Sequence, residues 1–148
     1  MSSNGGQAWQ ALIRILRYTK PWMNERAAAL DLTPQLAFAL HALDAGRELT
    51  MSDIAAEMSC DASNATGIID RLAARGLAER RPAAHDRRVK VVRLTAAGQR
   101  LERRISERML AEAPPPIAAL SAADQRALRD ILLRAIANAE KMSADESA

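Results

Sequence analysis

Hydrophobic positions recur at helical spacing in six stretches of the chain, and one stretch between them alternates with a period of two. The first helix is predicted from the apolar residues Ala8, Trp9, Leu12, Ile13 and Leu16. Pro21 is expected to end this helix, because proline in a helix removes a hydrogen bond. The second helix is predicted to begin at Pro34 behind the N-cap Thr33 and to end at Gly46, where glycine can adopt the left-handed conformation.

Two short helices are predicted next, in close succession. Thr50 and Asp53 have the spacing of a capping box, which indicates the start of a very short helix. Asp61 can cap the following helix, and Gly76 is expected to end it. The apolar residues on one face of that helix are Ala65, Ile68, Ile69 and Leu72. Two short helices joined by a tight turn are typical of the helix-turn-helix motif.

The period of two covers residues 77–81 and 89–94, which are predicted to form two short strands. The segment "PAAHDRR" separates them, so we expect a hairpin with a long, basic, flexible tip. A helix-turn-helix followed by such a hairpin is the element order of a winged helix-turn-helix. The predicted fold class is therefore mainly α with a small β wing.

Two more helices are predicted after the hairpin. Thr95 caps the first of them, and the prolines at 114–116 are expected to end it. Its apolar stripe consists of Leu101, Ile105 and Met109. Ser121 and Asp124 open the last helix, which is predicted to run through Ile136. The tail at 143–148 is expected to fray.

Composition narrows the class of protein. A length of 148 residues suits a single domain, and the single cysteine, Cys60, cannot form an intrachain disulfide. Because the first residues do not resemble a signal peptide and no apolar run could span a bilayer, we expect a cytoplasmic protein without membrane contact. The chain has no glycine-rich phosphate loop and no nucleophile beside a base, so neither an enzyme nor a cofactor is predicted. His41, His85 and Cys60 have no metal-ligand spacing.

Charge is distributed unevenly along the chain. Of 21 Lys and Arg residues and 18 Asp and Glu residues, twelve bases and four acids lie between residues 71 and 108. That segment therefore carries a formal charge of +8, and the remainder carries −5. A concentrated positive potential attracts a polyanion such as nucleic acid, although an arginine-rich segment can also be an ordinary solvated surface.

The central segment resembles the DNA-binding core of the MarR (multiple antibiotic resistance regulator) family. The resemblance rests above all on "IIDRLAARGLAERR", which joins the second helix of the motif to the wing, and on "DRRVKVVRLTAAG", which forms the wing and its exit. It implies a single MarR-type domain over 1–148, with a DNA-binding core at 33–95 and dimerisation helices at 7–32 and 96–142. It also implies a homodimeric repressor that binds a palindromic operator in double-stranded DNA and is released by a small ligand.

The helix that begins after Asp61 is the candidate recognition helix. With the apolar stripe turned to the core, the residues expected to face DNA are Ser63, Asn64, Thr66, Gly67 and Arg71. Asp61 and Ser63 can alternatively serve only as caps. A glycine in a helix interior costs roughly 1 kcal/mol, which suggests either base reading or a close approach of the helix to DNA at Gly67.

Acidic residues interrupt this basic surface. Asp70 would repel phosphate, so we expect it to pair with Arg71 or with an arginine of the wing. In the wing, the resemblance implies that Arg88 enters the minor groove and that Asp86 braces it. The remaining basic residues expected to contact phosphate are Arg75, Arg80, Arg81, Arg87 and Lys90. The simpler alternative is a solvated hairpin that contacts no DNA.

A ligand pocket is implied by the family resemblance rather than by spacing. The residues assigned to it are Trp9, Tyr18, Trp22, Phe38 and His41, and the ligand class is a small aromatic or phenolic acid. Core packing is the simpler interpretation for each aromatic residue. Cys60 could act as a redox sensor near a helix N-terminus, but a small residue filling a tight turn is the favoured interpretation. A winged-helix module for protein–protein contact is the alternative function.

Overall fold

The structure, a computed structural model, describes residues 3–43 and 46–146. Within them the chain is mainly helical with one two-stranded antiparallel sheet, which confirms the predicted fold class. The helices are α1 (Asn4–Ala28), α2 (Pro34–Ala42), α3 (Met51–Glu57), α4 (Ala62–Ala74), α5 (Ala96–Ile105), α6 (Pro115–Ala118) and α7 (Ala122–Glu146), and the strands are β1 (Ala78–Pro82) and β2 (Lys90–Leu94). A π-helical turn, Ser106–Leu110, continues α5.

The described residues form two compact units. One comprises residues 3–19 and 113–146, and the other comprises residues 20–112. The larger unit contains α2 to α5, the sheet and the last part of α1. The predicted domain boundaries after residues 32 and 95 therefore fall inside this unit rather than at its edges.

The apolar stripe of α4 lies at the centre of the larger unit, as its spacing predicts. Its four residues, Ala65, Ile68, Ile69 and Leu72, are each at most 1% exposed. They belong to one core cluster with residues from the neighbouring elements, including Leu40 of α2, Ile54 of α3, Val92 of β2 and Ile105 of α5. Burial of this stripe fixes the rotation of α4 about its axis and leaves the opposite face outside the core.

Side-chain caps begin the helices at the predicted residues. The Thr50 hydroxyl accepts from Asp53 N at 3.1 Å, and the Asp53 carboxylate accepts from Thr50 N at 2.9 Å, which completes the capping box. Hydrogen bonds from the side chain and backbone of Thr50 lower the pKa of Asp53. Asp61 and Thr95 cap α4 and α5 in the same way, through bonds of 2.7 and 3.1 Å.

Helix α4 ends in a Schellman motif. Gly76 has φ of 67°, a value that L side chains rarely adopt. Leu77 N donates to Leu72 O and Gly76 N donates to Ala73 O, both at 2.9 Å. The predicted end at Gly76 is confirmed, and the turn leads directly into the first wing strand.

Two predicted helix ends are wrong. Helix α1 continues through Pro21 to Ala28, because the residues beyond the proline, Ala27, Leu30 and Leu32, are buried in the core. Burial of two leucine side chains, about 1.5–3 kcal/mol each, offsets the cost of about 3 kcal/mol for a proline inside a helix. Helix α2 ends at Ala42 instead of Gly46, because Arg47 Nη1 donates to Ala42 O at 2.9 Å and supplies the missing partner. Gly46 does have a left-handed φ of 90°, but outside the helix.

The C-terminal half also departs from the prediction in detail. The tail at 143–148, which was expected to fray, is helical through Glu146 as the continuation of α7, whose preceding residues Ala139, Glu140, Lys141 and Met142 favour helix; residues 147–148 lie outside the described part of the chain. The prolines at 114–116 follow the end of the α5 helix, as predicted, and also open the short helix α6, which the pattern did not predict.

The wing is an antiparallel hairpin in which Ala78 lies opposite Leu94 and Pro82 lies opposite Lys90. Strand β1 begins and ends one residue later than the predicted 77–81, and β2 begins one residue later than the predicted 89–94 and ends as predicted. Leu49 adds a one-residue bridge that the sequence pattern did not predict: its N donates to Val92 O at 3.1 Å, and Val92 N donates to Leu49 O at 2.8 Å. The wing sheet is thereby connected to the loop before α3.

A glycine joins the base of the wing to α5. Thr95 N donates to Leu77 O at 3.1 Å, and the Thr95 hydroxyl donates to Gly76 O at 2.6 Å. A Cβ placed on Gly98 would lie only 1.9 Å from Leu77 O, which is a backbone atom. The first turn of α5 can therefore approach the wing this closely only because residue 98 is glycine.

We expect Gly98→Ala to destabilise the protein by about 1–3 kcal/mol, because the backbone must move to accommodate the new methyl group. Gly67→Ala is the matched control: nothing lies closer to its added Cβ than Arg71 Nη2 at 4.0 Å, so alanine should stabilise α4 by about 1 kcal/mol. Urea unfolding at one fixed protein concentration measures both variants. Equal stability of Gly98→Ala and the wild type would contradict the close approach.

Candidate nucleic-acid interface

The outward face of α4 carries polar side chains along its first two turns. Ser63, Asn64 and Thr66 are exposed, and Gly67 is half-buried. The Thr66 hydroxyl donates to Ala62 O at 2.8 Å within the helix. Asp61 makes the capping bond, so the polar side chains beyond it project from an already capped helix. Hydroxyl and amide groups in this position can donate to and accept from base edges and phosphates.

Intramolecular packing does not explain the glycine at position 67. Arg71 lies along the helix and donates its Nε to Gly67 O at 3.1 Å. The space beside Gly67 is otherwise open, since only the Arg71 guanidinium comes within 4 Å of an added Cβ. Packing among the described residues therefore does not require a glycine at this position.

An ion pair connects α4 to the wing. Asp70 Oδ1 of α4 accepts from Arg80 Nη2 of β1 at 2.6 Å. Of the two kinds of partner that the sequence leaves open for Asp70, the structure contains the wing arginine, while Arg71 bonds to its own helix. The pair fixes the Arg80 guanidinium beside the outward face of α4.

At the wing tip, Asp86 holds Arg88. The carboxylate accepts from Arg88 N at 2.9 Å, from Arg88 Nε at 3.2 Å and from Arg88 Nη2 at 3.4 Å. The hydrogen bond from the Arg88 backbone N–H, followed by the bonds from the Arg88 side chain, lowers the pKa of Asp86. The Arg88 side chain is 92% exposed although its guanidinium group bonds to Asp86. It is thus presented to solvent in a fixed direction.

Sequence reasoning missed a third acid in this surface. Glu79 Oε1 of β1 lies 3.0 Å from Arg81 Nε and 2.8 Å from Arg93 Nε. The hydrogen bond from Arg93 is the main cause of the lowered pKa of Glu79. The signal was present in the hairpin, because residues two apart on a strand share a face and Glu79 lies opposite Arg93. The pairing of Glu79 with Arg93 could be inferred only once the register of the two strands was known.

The other predicted phosphate contacts differ in their surroundings. Arg87 and Lys90 are exposed at the wing tip and the start of β2. Arg75, at the end of α4, instead donates Nη1 to Asp31 O at 2.6 Å and lies 3.4 Å from Asp31 Oδ2. Arg75 thereby connects α4 to the loop before α2, and a contact of this residue with phosphate stays a prediction.

The five residues assigned to a ligand pocket lie in several places. Trp9 lines an apolar groove formed within residues 3–19 and 113–146. Tyr18 and Trp22 each lie beside an arginine, with guanidinium carbons 5.3 and 4.8 Å from the ring centres. Phe38 and His41 line a separate cavity within residues 20–112. A single ligand pocket formed by all five residues stays a prediction.

The cavity beside Phe38 has a volume of about 380 Å³ and lies among α2, α3 and α4. Its lining consists of Gln35, Phe38, His41, Ala42, Glu57, Met58, Cys60, Asn64 and Ile68. The buried Glu102 carboxylate accepts from His41 Nδ1 at 3.1 Å, which leaves the His41 Nε2 edge for other contacts. Cys60 is half-buried in this lining and packs against the core cluster, in agreement with the favoured packing interpretation, and a redox role for its thiol stays a prediction.

Two kinds of feature are absent from the part of the chain that the structure describes. No helix there combines the length and the apolar character needed to cross a membrane. No group of three or more His, Cys, Asp and Glu side chains there is arranged to hold a metal ion.

Comparison with known proteins identifies the family. Residues 30–89 match the model of the MarR family. Over 149 aligned residues the chain is 30% identical to the uncharacterized HTH-type transcriptional regulator YfiV of Bacillus subtilis, covering 95% of this chain and 90% of YfiV. The chain belongs to the MarR family. The resemblance carried by the helix-turn-helix and wing motifs is thus confirmed, and the chain is a MarR-family transcriptional regulator.

Solved structures of MarR proteins share the fold. Wild-type apo MarR from Escherichia coli is 23% identical, with a TM-score of 0.73 over 91% of this chain and 98% of that one. BpsR of Bordetella bronchiseptica, whose DNA binding is regulated by 6-hydroxynicotinic acid, is also 23% identical, with a TM-score of 0.73 over 93% of this chain and 97% of BpsR. The winged helix-turn-helix of this MarR-family chain is therefore the fold that these regulators use.

Proposed function

We propose that this MarR-family regulator is a repressor that binds a palindromic operator in double-stranded DNA as a homodimer and is released by a small aromatic acid. The observation that carries DNA binding is the wing tip, where an almost fully exposed arginine is fixed by an acid two residues before it. Regulation of DNA binding in BpsR supports the same activity here.

The two DNA-contacting elements have separate roles in this proposal. The exposed side chains of Ser63, Asn64 and Thr66 read base edges in the major groove, where an α-helix fits. The absence of a side chain at Gly67 lets α4 approach the DNA closely. Arg88 enters the minor groove, whose negative potential favours a weakly hydrated guanidinium. Arg87, Lys90 and Arg71 contact phosphates and supply sequence-independent affinity.

Dimerisation is supported by the burial pattern of the smaller unit. No described residue of 3–19 or 113–146 is buried in the single chain, including all 25 residues of α7. Large apolar side chains are nevertheless exposed there: Trp9, Leu12, Ile13, Leu16, Ile131, Leu132, Leu133 and Ile136. An exposed apolar face of this kind marks an interface. A second copy of the chain covers it in our proposal, and the resulting two-fold axis requires half-sites about 10 bp apart.

The proposed ligand occupies the cavity beside Phe38. A volume of about 380 Å³ suits a small aromatic acid. Its ring would pack on Phe38, and its polar group would meet His41, whose ring is oriented by the buried Glu102. Asn64 lines the same cavity and belongs to the DNA-reading face, so an occupied cavity competes with DNA for this side chain.

We expect Arg88→Ala to lower affinity for a duplex selected by the wild type from a random pool by roughly tenfold or more. The wild type should lose affinity steeply with salt, with a slope of log affinity against log salt of about −0.9 for each phosphate contact. Arg129→Ala is the control, because Arg129 is also exposed and bonded to a neighbouring acid, Asp130, but lies in α7. Fluorescence anisotropy across a salt series measures all three proteins. A wild type without salt-dependent DNA binding would favour the protein-interaction module.

Leu132→Glu should convert the protein to a monomer, since it places a charge in the apolar face of α7. DNA affinity should fall by about 100-fold, because each half-site is then bound separately. Arg134→Glu introduces the same side chain on the opposite side of α7 and should leave the dimer intact. Sedimentation velocity reports the oligomeric state, and an unchanged state for Leu132→Glu would refute this interface.

Addition of 6-hydroxynicotinic acid or 4-hydroxybenzoate should weaken DNA binding by at least about fivefold, the lower range of coupling between two sites. Phe38→Ala should abolish the response while the variant still binds DNA. Tyr18→Ala is the control, since Tyr18 does not line this cavity. Titration of the DNA complex with each acid measures the response. A full response in Phe38→Ala would place the ligand elsewhere.

A further inference from the structure

Glu79 occupies a position in the wing that differs from those of the other two acids. Asp70 and Asp86 each hold one arginine, whereas a single oxygen of Glu79 lies within 3.0 Å of two guanidinium nitrogens, those of Arg81 and Arg93. The strand geometry produces this arrangement. Arg81 is two residues along the same strand, and Arg93 is the cross-strand neighbour of Glu79.

The trio formed by Glu79, Arg81 and Arg93 contributes little to the folding stability of the protein. All three side chains are more than a third exposed, and ion pairs with such exposure contribute little to folding. Its effect on the electrostatics of the wing is larger. Without the carboxylate, two like charges would share one face of the hairpin; with it, the trio carries a net charge of +1.

The positive charge of the wing arginines and their fixed orientation contribute to two different kinds of DNA binding. Sequence-independent affinity comes from neutralising phosphates, so each additional free arginine strengthens binding to every duplex. Sequence-specific affinity depends on arginines held in the orientation that one site requires. A carboxylate that reduces the free positive charge weakens sequence-independent binding. Because the same carboxylate fixes two guanidinium groups, it favours sequence-specific binding.

We propose that Glu79 is a specificity-determining positioning residue, which holds Arg81 and Arg93 in the wing and suppresses binding to unrelated DNA. This inference rests on the proposed function, because it requires the wing to contact DNA. Glu79 itself does not contact DNA; it acts through the two arginines.

Glu79→Gln tests the inference with two probes, a duplex selected by the wild type from a random pool and a scrambled duplex of the same composition. Affinity for the scrambled duplex should rise by about threefold or more, and its salt slope should steepen by up to about one phosphate contact. Affinity for the selected duplex should rise less, so the ratio of the two affinities falls. A ratio equal to that of the wild type would overturn the inference.

Glu48→Gln is the matched control, because Glu48 is an exposed glutamate that lines the same polar cavity as Glu79 and Arg93. It removes the same charge and should leave the affinity ratio unchanged; a fall equal to that of Glu79→Gln would reduce the role of Glu79 to bulk charge and overturn the inference. In an Arg81→Gln background the effect of Glu79→Gln should shrink, and an undiminished effect would also overturn it.

Arg81→Gln alone keeps the inference testable if Glu79→Gln does not fold. It should lower affinity for the selected duplex more than for the scrambled one, and an equal loss for both would overturn the inference. The two proposals fail in distinguishable ways. A wild type that binds neither duplex overturns the proposed function together with this inference, whereas a wild type that discriminates while Glu79→Gln discriminates equally well overturns only the inference about Glu79.

Discussion

Burial of four residues on one side of α4 determines the geometry of the rest of the DNA-facing surface. Once Ala65, Ile68, Ile69 and Leu72 are placed in the core, the helix can no longer rotate about its axis. Its polar face is then exposed without any further interaction to hold it there. The Schellman turn at Gly76 connects the end of this fixed helix directly to the wing. The direction in which the hairpin leaves α4 therefore also depends on the burial of these four residues.

The sequence predicts helix caps and turns that depend on neighbouring residues. It predicts poorly the helix ends that depend on contacts with distant residues. The capping box at Thr50 and the turn at Gly76 depend on residues three to five positions apart, which the sequence displays directly. The sequence does not predict that α1 continues past Pro21, because the local cost of the proline is outweighed by burial of Ala27, Leu30 and Leu32 in the core. The end of α2 depends on Arg47, whose side chain donates to Ala42 O. A periodic pattern of apolar residues gives no information about such a side-chain bond.

In the candidate DNA surface, too, some features can be predicted from neighbouring residues and others depend on distant ones. The exposed residues of α4 follow from periodicity, and the pair of Asp86 with Arg88 follows from a motif two residues apart. Partners for Asp70 and Glu79 required the hairpin register and the distance between α4 and β1. A basic patch is therefore poorly described by its net charge. Five of its arginines, Arg75, Arg80, Arg81, Arg88 and Arg93, already have carboxylate partners, so DNA must replace or share these partners rather than meet free cations.

The close approach at Gly98 has a mechanical consequence. The backbone of the wing base and the first turn of α5 are in direct contact, and no flexible side chain lies between them to absorb a displacement. Hydrogen bonds from Thr95 to Gly76 and Leu77 secure the contact on one side. The wing base and the start of α5 are consequently coupled through backbone contact. Any displacement of the first turn of α5 therefore also acts on the strands that carry the arginines, although these strands lie outside the helix.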